Sequence, residues 1–260
     1  MNLFNGKVVL ITGHTGFKGS WLSIWLTHLG AKVFGISDGI VSNPSNFSVS
    51  EISNVIDDNR LDVRDADAIE KLIRNIQPDF VFHLAAQALV RTSYEAPLDT
   101  ITINAIGSAN ILDALRALNK KVVAIMITSD KVYDNVEWVW GYKETDRLGG
   151  KDPYSASKGM AELAIRTYVK SFFDSTNSNI LVGITRAGNV IGGGDWAKDR
   201  LVPDAMRAFS SQEPLQIRFP NATRPWQHVF DPLCGYLLLA EHLWEQPQQY
   251  SGSWNFGPET

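Results

Sequence analysis

Two short stretches of the sequence carry the side chains that proton-transfer chemistry requires. In ITSDKVYDN (127–135), Ser129, Asp130 and Lys131 follow the apolar run VVAIM, at the predicted end of a buried strand. A carboxyl group and an amine at one strand end can act as acid and base on a bound substrate. They can equally form an ordinary ion pair, and the residues alone leave both interpretations open.

The second stretch, DPYSASKGMAEL, places Tyr154 and Lys158 four residues apart on one face of a predicted helix. Tyrosine has an ordinary pKa of about 10, which a nearby ammonium group and a cationic nicotinamide would lower. A tyrosine of this kind can take a proton from a sugar hydroxyl while hydride leaves the carbon. A surface helix pair is the alternative, and a preceding dinucleotide site favours the catalytic interpretation.

That dinucleotide site is predicted from ITGHTGFKG, where Gly13, Gly16 and Gly19 stand between the first strand and the first helix. Glycines permit the tight turn and the approach of a pyrophosphate to the N-terminus of the helix. Asp38, 25 residues after Gly13, stands where an acid accepts hydrogen bonds from the adenosine ribose. It could instead be a turn residue before Gly39.

The choice between the two nicotinamide dinucleotides follows from charge. Residues 33–59 contain no Arg or Lys, so a 2′-phosphate would meet no nearby cation. The sequence therefore favours NAD over NADP as the cofactor.

Alternating strands and helices must position these residues. Apolar runs at 7–12, 31–37, 79–85, 121–128 and 180–187 are continuous in Val, Ile and Leu, which predicts strands covered on both sheet faces. Helical patterns occupy 19–29, 66–76, 100–118 and 154–173. This alternation predicts an α/β fold with a doubly wound parallel sheet. The irregular stretches 132–153 and 188–228 follow strand ends and are expected to wall the substrate pocket.

Composition narrows the function further. The chain has 260 residues and a formal net charge of −4, which gives no support to a nucleic-acid or anionic-membrane partner. Its one cysteine, Cys234, cannot form an intrachain disulfide, which is typical of a reducing compartment. No apolar run is long enough to span a bilayer. We expect a cytoplasmic protein without a metal site, and we interpret His83, inside an apolar strand, as a core histidine.

Several motifs resemble a known family. TGHTGFKG, HLAAQ and YSASK, in this order and spacing, resemble the extended short-chain dehydrogenase/reductases. TSDKVYDN, EWVWGY, AGNVIGGGDWAKDRLVPD and RPWQHV resemble the nucleotide-sugar 4,6-dehydratases among them, and specifically the branch that acts on CDP-glucose. The resemblance extends from residue 7 to the end. It implies a Rossmann-type sheet, NAD as cofactor, a homodimer formed through the two long helices, and a place in deoxysugar and O-antigen synthesis.

The reaction implied by the resemblance converts CDP-glucose to CDP-4-keto-6-deoxyglucose. Oxidation at C4 makes a ketone, so the C5 proton can be abstracted, the C6 hydroxyl leaves as water, and C6 is then reduced. Tyr154 would be the base for C4 oxidation, with Lys158 lowering its pKa and holding the nicotinamide ribose. Asp130 would protonate the C6 oxygen, a neutral Lys131 would take the C5 proton, and Ser129 would hydrogen-bond the C4 oxygen.

The resemblance also assigns binding residues. Those for NAD are Gly13, Thr15, Gly16, Phe17, Lys18, Gly19, Asp38, Asp62, Val63, Leu84, Ala85, Ala86, Gln87, Asn104, Thr128, Tyr154 and Lys158. Those for the nucleotide sugar are Asn189, Lys198, Arg200, Leu201, Arg218 and Arg224. No residue by itself distinguishes cytosine from other pyrimidines.

Two domains are expected. Residues 1–187 and about 229–250 would form the NAD-binding domain, and 188–228 with about 251–260 a smaller C-terminal substrate domain that lacks its last part. The alternatives are a dehydratase for another nucleotide sugar (dTDP-, UDP- or GDP-hexose), a C4 epimerase, and a non-catalytic NAD-binding protein. An epimerase needs no elimination pair, so the SDK run argues against it.

Overall fold

Seven parallel strands form the central sheet in the computed structural model, which describes residues 2–174 and 178–258. The strands are β1 (Val8–Thr12), β2 (Lys32–Ser37), β3 (Asp57–Arg60), β4 (Phe80–His83), β5 (Val122–Ile127), β6 (Ile180–Ala187), β7 (Val190–Ile191), β8 (Gln227–His228) and β9 (Gly252–Phe256). The helices are α1 (Phe17–His28), α2 (Asn46–Val49), α3 (Ala66–Ile76), α4 (Val90–Glu95), α5 (Pro97–Ile101), α6 (Gly107–Arg116), α7 (Pro153–Tyr168), α8 (Leu201–Ser210), α9 (Phe230–Glu245) and α10 (Pro247–Tyr250).

The strand order places the ligand cleft. The central sheet runs β3-β2-β1-β4-β5-β6-β9, while β7 and β8 form a separate parallel pair. The chain winds outward from β1 to β3 and then returns to place β4 on the other side of β1. Loops at the carboxyl ends of β1 and β4 therefore diverge and leave a crevice. This confirms the predicted doubly wound α/β fold.

Both faces of the sheet are buried, which explains the continuous apolar runs. Val9 and Ile11 of β1 pack with α1 and α9, whereas Leu10 packs on the opposite side with α3 and α6. The six residues of β5 are all buried and divide between the two faces in the same alternating way. Since neither face meets water, no polar residue is needed at every second position.

The two long helices of the sequence prediction each contain a π-helical turn. The expected helix at 100–118 consists of α5, a π-helical turn at Thr102–Ile106, and α6. The expected helix at 154–173 is α7 followed by a π-helical turn at Val169–Phe173. A π turn keeps the chain helical, so a helical pattern in the sequence does not distinguish it from the α-helix around it.

Two strands lie outside the apolar runs that predicted strands. β3 has the polar sequence DDNR and bonds to β2 alone, so as an edge strand it shows no apolar run. β9, within the 251–260 stretch expected in the substrate domain, pairs with β6 from Gly183↔Gly252 to Ala187↔Phe256. These backbone bonds attach the described part of that stretch to the central sheet.

Candidate active site

The glycine-rich turn after β1 has no room for side chains. Gly13 has φ +72°, and a Cβ there would lie 2.8 Å from the backbone nitrogen of Ala85. A Cβ on Gly19 would lie 2.1 Å from the carbonyl oxygen of Gly13. Helix α1 then begins after Gly16, with no side-chain cap on its N-terminus. This combination of close backbone and uncapped N–H groups fits a dinucleotide pyrophosphate.

The residues expected at the adenosine end have different partners. Asp38 is exposed beyond the end of β2, as ribose binding requires. Thr15 is buried and donates to the Gly39 carbonyl oxygen at 2.6 Å, so it holds the turn to β2. Asp62 is paired with Arg64, whose hydrogen bond lowers the pKa of Asp62. Val63 belongs to the core.

The segment after β4 lines the cleft with small side chains and with polar groups that already have hydrogen-bond partners. Leu84, Ala85, Ala86 and Gln87 are partly buried. The Gln87 backbone nitrogen donates to Asn104 Oδ1 at 2.8 Å, and Asn104 is itself buried. This bond ties the segment to the π turn before α6.

His83 is the core histidine that the sequence predicts, with 2% of its surface exposed. Its Nδ1 lies 2.8 Å from Thr12 Oγ1 and its Nε2 lies 2.9 Å from Ser108 Oγ. Burial, together with the charge of Lys158, lowers the pKa of His83 to about 3.

The predicted catalytic groups at the end of β5 lie beside Tyr154. Ser129 Oγ donates to Asp130 Oδ1 at 2.9 Å, and Lys131 Nζ lies 3.6 Å from the same oxygen. Both charged side chains are about one-third exposed, at 31% and 32%. The Ser129 hydroxyl and the charge of Asp130 both act on the pKa of the Tyr154 phenol. The end of β5 and the first turn of α7 therefore meet at one point.

The ionisation of Tyr154 differs from the sequence expectation. Burial raises the pKa of Tyr154 to about 12; the Ser129 hydrogen bond and the charge of Arg200 oppose this, while Asp130 reinforces it. The charge of Arg200 lowers the pKa of this phenol, and the effect expected of Lys158 stays a prediction. Lys158 is buried and donates to the Ile127 carbonyl oxygen at 3.5 Å.

Positive charge is concentrated at this point. Burial lowers the pKa of Lys158 to about 8. Burial, followed by the charge of Arg200, lowers the pKa of Lys18 to about 8. The charges of Lys158 and Lys131 also lower this pKa, and the charge of Asp130 opposes them. Four cations, Lys18, Lys131, Lys158 and Arg200, thus lie near three carboxylates, Asp130, Asp152 and Asp195. This leaves a small excess of positive charge, which suits an anionic substrate.

The expected substrate residues are not all brought together. Arg200 reaches the site and pairs with Asp195 at 2.9 Å. Asn189 precedes β7 and accepts from Gln227 through its backbone. Arg218 lies 3.4 Å from Asp199, Lys198 and Leu201 are exposed, and Arg224 is exposed and donates to the Thr223 carbonyl oxygen. Thr128, expected to bind NAD, is buried and donates to the Thr185 carbonyl oxygen.

Sequence reasoning missed a buried cluster next to the catalytic groups. Arg186, Glu162 and Tyr133 are buried and hydrogen-bonded to one another through Arg186. One signal was available, because Glu162 stands four residues after Lys158 and eight after Tyr154, on the same helix face. Nothing in the sequence indicates that Arg186 is its partner.

Two other kinds of feature are absent from the described ranges. Among residues 2–174 and 178–258, no group of three or more His, Cys, Asp or Glu is arranged to hold a metal ion. In the same ranges, no helix has the length and hydropathy needed to cross a membrane.

Sequence comparison gives matches along most of the chain. The family model described as GDP-mannose 4,6 dehydratase matches residues 10–251. CDP-glucose 4,6-dehydratase from Salmonella typhimurium strain LT2 is 46% identical over 260 residues, which cover 99% of this chain and 72% of that protein.

Structural comparison gives related folds. UDP-glucuronic acid 4-epimerase from Bacillus cereus, in complex with UDP-glucuronic acid and NAD, superposes with a TM-score of 0.80 at 26% identity, covering 97% of this chain and 78% of that one. dTDP-glucose 4,6-dehydratase from Streptomyces venezuelae, solved with NAD bound, has a TM-score of 0.81 at 22% identity and covers 97% and 76%. The second match concerns the fold alone.

Proposed function

This chain belongs to the family described as GDP-mannose 4,6 dehydratase, and we propose that it is an NAD-dependent 4,6-dehydratase that converts CDP-glucose to CDP-4-keto-6-deoxyglucose. The observation that carries this proposal is the meeting of Ser129, Asp130 and Tyr154 beside a glycine-rich dinucleotide turn. The choice of CDP-glucose rests on the 46% identity to the Salmonella enzyme.

The residues present fit NAD. The cradle formed by Gly13 and Gly19 admits backbone but no Cβ, and the uncapped start of α1 faces the same turn. Asp38 is free to accept from a ribose hydroxyl, and residues 33–59 contain no cation for a 2′-phosphate. NAD, when bound, supplies the oxidising capacity for C4 and the reducing capacity for C6.

Each catalytic side chain has one proposed task. Tyr154 takes the proton of the C4 hydroxyl, and Ser129 hydrogen-bonds the C4 oxygen. Lys131 takes the C5 proton once C4 is a ketone, and Asp130 gives a proton to the leaving C6 oxygen. The 3.6 Å contact between Lys131 and Asp130 supports this division, because proton transfer between them yields a neutral amine and a carboxylic acid. These are the forms in which the two groups act.

The cations supply the affinity for the nucleotide. Arg200 is near the reacting groups, since its charge acts on both Tyr154 and Lys18. We propose that Arg200 binds the diphosphate with Asn189, and that Lys198, Leu201, Arg218 and Arg224 line the more distant nucleoside end. The exposed positions of the last four support a role with the part of the substrate furthest from C4.

A second copy of this chain is the proposed partner. Large apolar side chains are exposed on α5–α6 and on α7: Leu98, Ile106, Met160 and Leu163 are 72%, 52%, 45% and 56% exposed. Burying such a face is favourable at about 25 cal/mol per Å², so we propose a homodimer through these helices. We also propose a cytoplasmic location and a role in deoxysugar synthesis for O-antigen.

The test is direct. The protein is incubated with NAD and CDP-glucose, and the product is followed by the alkaline absorbance of a 4-keto-6-deoxy sugar. We expect product from CDP-glucose in preference to dTDP-, UDP- and GDP-sugars, and none from Asp130→Asn. Epimerised sugar with no keto product would contradict the proposal, as would bound NAD with no turnover of any sugar.

A further inference from the structure

The guanidinium of Arg186 is fully buried at the carboxyl end of β6. Arg186 is 1% exposed and directs its fork at Glu162, which is 0% exposed, with Nε donating to Oε2 at 2.9 Å and Nη2 donating to Oε1. Burial by itself lowers the pKa of Arg186, but the hydrogen bonds and charge of Glu162 outweigh it and the pKa is raised. The guanidinium is therefore charged, and a buried bidentate contact of this kind has one preferred geometry.

Glu162 connects this pair to the catalytic helix. It lies one turn beyond Lys158 and two turns beyond Tyr154 on α7, and all three face the sheet. Arg166 Nη2 donates to Glu162 Oε1 at 2.7 Å. Ser253 Oγ, in β9, donates to the same oxygen at 3.2 Å. Counting Arg186, the carboxylate thus has three donor residues. Rotation or translation of α7 would break several of these bonds at once.

The third nitrogen of Arg186 connects to the end of β5. Nη1 donates to Tyr133 Oη at 2.6 Å, and the guanidinium carbon lies 4.8 Å from the centre of the same ring. Tyr133 directly follows the 3-10 turn Asp130–Val132, which carries both elimination residues. Burial raises the pKa of Tyr133, so its hydroxyl keeps its proton and donates it to Asn255 Oδ1 at 2.6 Å.

We propose that Tyr133, Arg186 and Glu162 are positioning residues that set the Asp130–Lys131 turn against the Tyr154–Lys158 face of α7. The catalytic half of this inference rests on the proposed function; the geometric half does not. The reaction needs C4 at Tyr154 while C5 and C6 face Lys131 and Asp130, so one hexose must be served by two elements. A displacement of about 1 Å between them is enough to lower a rate strongly.

The test removes one hydroxyl. Tyr133→Phe deletes one of the two acceptors of Arg186 Nη1 and leaves the other, the Glu144 carbonyl oxygen at 3.1 Å. It keeps the ring, including its stacking on Tyr142 at 4.9 Å. Tyr142→Phe is the matched control, because its hydroxyl bonds only within the same loop, to Val136 and Asn135. Each variant and the parent protein are compared in single turnover, by NADH absorbance for C4 oxidation and by entry of solvent deuterium at C5 for elimination. Amide hydrogen exchange is measured over 129–134 and over α7.

We expect Tyr133→Phe to slow the entry of solvent deuterium at C5 on the order of tenfold or more, while the rate of C4 oxidation changes less than about threefold. Amide hydrogen exchange at 129–134 should become faster in this variant. Tyr142→Phe should show none of these changes. Equal slowing of both steps, or unchanged rates with unchanged amide exchange, overturns the positioning role. If the parent protein turns over no sugar, the proposed function fails, and the amide exchange alone decides: faster exchange at 129–134 supports the network and unchanged exchange refutes it.

Discussion

Acidification should destabilise this protein through His83. The imidazole is buried between Thr12 and Ser108, and its hydrogen bonds are complete only when it is neutral. Ser108 Oγ donates to the Asn104 carbonyl oxygen at 2.7 Å, so it accepts from His83 Nε2. Thr12 Oγ1 accepts from the Ala85 backbone nitrogen at 3.1 Å and donates to Nδ1. Protonation of Nδ1 removes the acceptor of the Thr12 hydroxyl.

The magnitude follows from the pKa in the two states. The pKa is about 3 in the folded protein and 6.5 in the unfolded chain. Between these values the unfolded chain binds more protons, so the free energy of unfolding falls as the pH is lowered through 6.5. Each unit is worth 1.36 kcal/mol, so the step from pH 6.5 to pH 4 costs about 3 kcal/mol. That is a large part of the roughly 5–15 kcal/mol that stabilises a typical domain.

Urea unfolding at pH 6.5 and pH 4 measures this loss. His83→Gln keeps a donor and an acceptor but cannot be protonated, so its loss should be smaller than that of the parent protein by about 3 kcal/mol. His28→Gln, which alters an exposed histidine at the end of α1, should behave like the parent protein. Equal losses in the parent protein and His83→Gln would refute the reasoning, because carboxyl titration is common to both.

Three further outcomes are expected. Gly19→Ala should lower NAD affinity at least tenfold in a calorimetric titration, because its Cβ would lie 2.1 Å from the Gly13 carbonyl oxygen; Gly39→Ala, with open space around it, should bind normally. Lys131→Met should retain part of C4 oxidation and lose about 10²–10⁴-fold of C5 deuterium entry, and normal entry would show that another group is the base. Since the pKa of Tyr154 is about 12, single-turnover C4 oxidation should rise with pH by up to about tenfold per unit from pH 6 to 9, and a flat profile would contradict Tyr154 as the base.

The sequence by itself determined the features that depend on local chain geometry. Continuous apolar runs and helical periodicity predicted the α/β fold, since each reports burial over a few consecutive residues. The glycine spacing located the turn after β1, because only glycine tolerates a Cβ-free cradle and φ +72° at Gly13. Tyr154 and Lys158 were found because their spacing is helical.

Only the tertiary structure decided which distant groups meet. Arg200 acts on Tyr154 across 46 residues, and Arg186 joins Glu162 to Tyr133 because β6 ends between α7 and the turn after β5. The pKa of Tyr154 rose rather than fell because burial, a property of the assembled cleft, outweighs its neighbours' charges. β9 joins β6 through backbone bonds that any residue can make, so its side chains carry no signal of the pairing. Such contacts depend on how elements far apart in the chain pack, and local spacing does not encode that.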